Sequence, residues 1–107
     1  MFNAKKDWLP IGSVVRLDGG ERLVMIAGYM VIQAGSEQIW DYIGYLYPEG
    51  NQHDDAIFFQ REIVDEIYQL GFIDADGLRA LEQLELVEPD YLQERAEIAR
   101  LTADNGE

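Results

Sequence analysis

Apolar residues fall into short runs separated by turn signals through the first two thirds of the chain, and into helical spacing through the last third. Residues 1–8 read as a polar lead-in. Val14, Val15 and Leu17 then alternate towards Asp18-Gly19-Gly20-Glu21, and Leu23 to Ile32 resume the apolar pattern. Asp-Gly and Gly-Gly between two such runs predict a hairpin, because glycine reaches the positive φ that tight hairpin turns need. Residues 33–38 form the next turn. Ile39 to Tyr47 are rich in the aromatic and branched residues that favour strands. Pro48 and Gly50 suit a type I turn after Tyr47, and "AIFFQ" supplies a fourth short strand.

Ile63, Val64, Ile67 and Tyr68 share a helical face, yet Ile67 to Ile73 also suit a strand. The pattern predicts a short helix over Arg61–Glu66 that runs into an extended segment. Beyond residue 74, Asp76 is placed to cap a helix carrying Leu78, Leu81 and Leu84. Glu88-Pro89-Asp90 reads as the opening of a second helix, with proline in its first turn. The expected fold is therefore α+β: a small antiparallel meander, open or closed into a barrel, over residues 9–73. C-terminal helices over 74–102 pack on or beside it, and residues 103–107 fray.

The 107 residues suffice for one domain with a modest core. Cysteine is absent, which excludes disulfides, thiolate nucleophiles and Cys-based zinc sites and suits a cytoplasmic protein. No apolar run is long enough to span a bilayer. The formal net charge of −13 repels nucleic-acid backbones and anionic membranes, so neither is an expected partner.

Candidate chemistry is sparse. His53, Asp54 and Asp55 are hard-metal ligand types, but their spacing matches no calcium loop, and a solvated acidic loop is the better reading. His53 has no visible orienting partner or nucleophile, and the Gly19-Gly20 turn lacks the strand–loop–helix context of a phosphate site. The residues therefore point to no catalytic group, no metal and no cofactor.

The stretch "WDYIGYLYPEGN", residues 40–51, carries more information. By strand parity Trp40, Tyr42 and Leu46 face one way and Ile43, Tyr45 and Tyr47 the other. The first set is assigned to the core. Tyr45 and Tyr47, with Glu49 at the rim, become the candidate partner contacts, since tyrosine buries ring area while its hydroxyl stays hydrated.

Five segments in order, "LPIGSVV" (Leu9–Val15), "GGE" (Gly19–Glu21), "VMIAGY" (Val24–Tyr29), "YIGYLYPEGN" (Tyr42–Asn51) and "FFQREIVDEIYQLGF" (Phe58–Phe72), resemble a family of small domains of Gram-positive bacteria. Genes of that family neighbour LXG-type toxins of type VII secretion systems. The resemblance covers residues 8–73. It implies a non-catalytic adaptor or targeting chaperone that binds the toxin's N-terminal helical domain, beside small helical-hairpin proteins. It carries across no catalytic residue. Two positions depart from the family pattern: Gln60 stands where Asn is frequent, and Gln69-Leu70-Gly71 where Phe-Glu-Gly is. The alternatives are an immunity protein, whose acidic surface would block a basic toxin domain, and a small enzyme.

Overall fold

A computed structural model describes residues 2–53 and 55–105, with side chains described to residue 103. Five strands are followed by one helix: β1 Val14–Leu17, β2 Leu23–Ile32, β3 Ile39–Leu46, β4 Ile57–Phe59, β5 Val64–Gln69 and α1 Ala75–Asn105. All pairings are antiparallel, in the order β4-β3-β2-β1-β5. The sheet is open rather than a closed barrel, with β4 and β5 as its edges. Those edges are joined by only residues 60–63, which include a 3₁₀ turn at Arg61–Ile63. Five flat strands would set the edges about 19 Å apart, more than the roughly 17 Å that so short a link can reach when fully extended. The sheet must curl, and its concave face becomes the core.

Register decides which residues line that face, because directly opposed residues share a side. Val24, Ile26 and Tyr29 lie opposite Leu46, Gly44 and Tyr42, and Val15 lies opposite Val24. A bulge between Ile26 and Gly28 shifts the parity of β2, so its inward positions run 24, 26, 29. Gly44 has no room for a side chain: a Cβ there would lie 2.6 Å from the Met25 carbonyl oxygen. β5 carries two further bulges against β1. The one between Arg16 and Leu17 sets Val64 opposite Leu17 and Ile67 opposite Val15, three residues apart on the core side. That spacing imitates a helix. It explains why the expected Arg61–Glu66 helix is instead a 3₁₀ turn followed by a strand.

The lead-in is part of the core. Trp8 and Leu9 are buried, and Trp8 meets Tyr29, Tyr42 and Tyr91 edge-on at centroid distances of 6.1, 5.8 and 5.9 Å. The Tyr42 hydroxyl accepts from Leu9 N–H (2.8 Å), and the Tyr29 hydroxyl donates to the Leu9 carbonyl (2.6 Å). Two tyrosines thus fasten an extended segment that has no strand partner.

The tail is one helix, not two. Asp74 rather than Asp76 caps it, accepting the Gly77 N–H at 2.8 Å. Pro89 lies inside it, where a proline removes a helical hydrogen bond and crowds the carbonyl four residues back. Anchors on either side of Pro89 offset that cost. Trp8 Nε1–H donates to Glu88 Oε1 (2.8 Å), and Tyr91 and Arg95 both reach Asp41 on β3.

Candidate partner-binding surface

The helix and the lead-in leave the outer face of β1–β3 uncovered. Val14 lies opposite Met25, and Met25 opposite Tyr45, so these three half-buried residues form one cross-strand row. Tyr47 follows the end of β3 and donates its backbone N–H to the Leu23 carbonyl (2.9 Å). Its ring is 50% exposed and lines a shallow groove with Val14, Leu23, Tyr68 and Gln69. The structure therefore brings Tyr45 and Tyr47 onto one surface and adds Tyr68 from the β5 edge, itself 55% exposed.

Glu49 sits in the turn beside this patch and is already matched. Arg22 Nη2 donates to both its carboxylate oxygens (2.5 and 2.6 Å) and to the Tyr47 carbonyl (3.3 Å). The Arg22 hydrogen bond holds the Glu49 carboxyl below its ordinary pKa. The turn closes with Gly50 N–H on the Leu46 carbonyl (2.8 Å) and a cis Tyr47–Pro48 peptide, not as the expected type I turn from Tyr47. Glu49 and Arg22 together hold the Tyr47 backbone in place at the rim of the groove.

Trp40 departs from its expected core position. It is half-buried, its indole N–H donates to Gln33 Oε1 (3.1 Å), and the principal buried indole is Trp8. Between Trp40 and Tyr42, Asp41 is completely buried. One of its oxygens accepts from the Tyr91 hydroxyl (2.7 Å) and Arg95 (2.8 Å), the other from Arg61 N–H (2.8 Å) and Nε (3.1 Å). Arg61 continues to Lys6 O and Glu88 and lies 4.0 Å from the Trp8 ring centroid. Burial works against its charge, but the bonds to Glu88 and Asp41 outweigh it and raise its pKa. Gln60 takes the place of a missing strand residue: its side-chain amide accepts from Asp41 N–H and donates to Ile39 O. It makes no cap bond to the 3₁₀ turn. Among the described residues no buried side-chain nitrogen or oxygen lacks a hydrogen-bond partner, so the work of this cluster is to lock helix to sheet.

His53 and Asp55 are exposed, Asp54 lies outside the described residues, and no group of three potential metal ligands gathers among the described residues. The buried Ser13 hydroxyl accepts the Gly71 N–H (3.0 Å) and closes the crossing of two backbones. A Cβ on Gly71 would lie 2.0 Å from the Ile11 carbonyl oxygen. What the exposed face offers is aromatic and aliphatic contact area with a charged rim.

This architecture coincides with a match to a family model described as a domain of unknown function, DUF4176, over residues 8–79. The chain belongs to the DUF4176 family. The match begins at Trp8, the indole at the centre of the aromatic cluster, and spans all five strands and the helix cap. Most of α1, including Tyr91 and Arg95, lies beyond it. No curated protein and no solved structure matches this DUF4176 chain. Among the described residues, no helix is long and apolar enough to cross a membrane.

Proposed function

We propose that this DUF4176 chain is a non-catalytic, cytoplasmic adaptor or targeting chaperone. It binds the N-terminal helical domain of an LXG-type toxin and prepares it for type VII secretion. The observation that carries the reading is the uncovered outer face at Tyr45, Tyr47 and Tyr68. Tyr47 and Tyr68 expose ring area there, and the Tyr68 hydroxyl, which donates to Glu66 Oε1 (3.5 Å), shows how such a tip bonds a carboxylate at the rim. The toxin as partner rests on the five ordered segments from Leu9 to Phe72.

The experiment is a pull-down with the two toxin halves expressed separately, repeated with Tyr45→Ala combined with Tyr47→Ala. Capture of the N-terminal half by the native chain, lost in a folded double variant, is the expected result. Capture of the C-terminal half alone would make the protein an immunity factor, the reading that a net charge of −13 favours against a basic toxin domain.

A further inference from the structure

At the opposite end of β2 from Tyr47, a groove runs between the sheet and α1. Met30, Ile32 and Ile39 form one wall, and Val87, Asp90 and Glu94 the other. Ile32 is 67% exposed and Val87 37%, while Ile39 lies buried at the floor. Asp90 and Glu94 stand one helical turn apart on α1, and neither carboxylate has a cationic partner among the described residues. They contrast with Glu88, which is held by Trp8 and Arg61, and with Glu62 and Glu97, which pair with Arg95 and Arg100. An apolar cleft with an unneutralised acidic rim is thus built into the side of the molecule.

We propose that this groove is a second docking site, and that its occupant is a basic amphipathic helix of another protein. Charge decides the sign of the partner. A second copy of a chain carrying −13 would bring like charges to the same rim, whereas a Lys/Arg-bearing segment completes it. Geometry decides its form. From Val87 to Glu94 the groove follows α1 for about 10 Å, two turns, so a helix laid beside α1 stays in contact throughout. Its apolar stripe meets Ile32 and Val87. Lysines or arginines one turn apart then lie over Asp90 and Glu94, as flanking charges do in paired helices. The site is independent of the adaptor reading, since it shares no residue with the Tyr45–Tyr47 face.

The probe is a synthetic helix of about three heptads with a leucine stripe flanked by lysines, compared with a twin in which glutamates replace the lysines. Backbone NMR shifts and a binding titration are recorded on the full chain. The lysine peptide should shift resonances of residues 30–32 and 87–94 and bind more weakly in high salt. Its affinity should fall about tenfold in Asp90→Asn with Glu94→Gln, and binding should vanish in Ile32→Glu. The glutamate twin should not bind. The proposal is overturned if the lysine peptide fails to bind, if both peptides bind alike, or if the shifts fall at Tyr45–Tyr47. Self-association at rising concentration that Ile32→Glu abolishes would also overturn it, by giving the groove to a second copy.

Discussion

Tyr91 donates its hydroxyl hydrogen to Asp41 at 2.7 Å, and both side chains are buried. Residues 50 positions apart in sequence are joined by this bond, the helix to β3. Arg61 and Arg95 converge on the same carboxylate, so one anion gathers the β4–β5 link, the helix and, through Lys6 O, the lead-in. The helix also buries Leu81 in the core and packs Leu84, Leu92 and Ile98 against it, so the polar cluster fixes the register of an apolar contact.

The two ends of that bond should therefore differ sharply in cost. Asp41→Asn keeps the shape but sets amide N–H groups against donors and leaves buried Arg61 with Glu88 as its remaining carboxylate, and should destabilise by about 3 kcal/mol. Tyr91→Phe removes one bond and leaves Asp41 still held by Arg95 and Arg61, costing about 1 kcal/mol. Urea midpoints of the two variants test the ranking. Equal losses would show that the carboxylate charge contributes nothing beyond hydrogen bonding.

The two tryptophans give a second ranking. Trp8 is 2% exposed and touches three rings and a guanidinium, so Trp8→Ala should cost about 3–5 kcal/mol. Trp40 is half-buried with one bond to Gln33, and Trp40→Ala should cost about 1–2 kcal/mol. Thermal melts followed by circular dichroism decide it, and a larger loss at Trp40 would contradict the placement of the core.

These comparisons also show what was legible in the chain. Turn chemistry at Gly19-Gly20, residues 33–38 and Pro48–Gly50 located the first three strands, and alternation separated Tyr42 and Leu46 from Tyr45. Trp8 gave no signal because an isolated aromatic in a polar stretch has no periodicity to reveal its burial. Tyr68 was hidden by the β5 bulges, which turned a strand's alternation into a helical interval. Asp41 was indistinguishable by type among 21 acids; only the fold shows which one meets two arginines.

Alkaline pH should expose the tyrosine fastenings. Burial pushes the Tyr29 phenol up to about 12 from an ordinary 10.0, and burial also raises Tyr42 and Tyr91. A raised folded-state pKa favours the neutral phenol in the native protein. The resulting stability is complete below pH 10 and is lost as pH rises through the folded values. Urea midpoints should fall steadily above about pH 10. Tyr29→Phe should flatten that decline. A native-state phenolate titration with every tyrosine ionising near 10 would refute it.

Pro89 supplies the last test. It lacks the N–H that would bond the Glu85 carbonyl, and a proline inside a helix costs on the order of 3 kcal/mol relative to alanine. Glu85 is exposed, so water can satisfy part of its unpaired carbonyl and reduce the penalty. Pro89→Ala should therefore raise stability by about 1–2 kcal/mol, read as a higher urea midpoint with an unchanged slope. The anchors at Glu88 and Tyr91 flank the substitution, so their bonds to Trp8, Arg61 and Asp41 set the limit of the gain. If Pro89→Ala instead lowers the midpoint, the helix needs its proline to keep Glu88 and Tyr91 in register with the sheet. Combining the change with Tyr91→Phe then identifies the cause: the loss should shrink once the Asp41 bond is already gone.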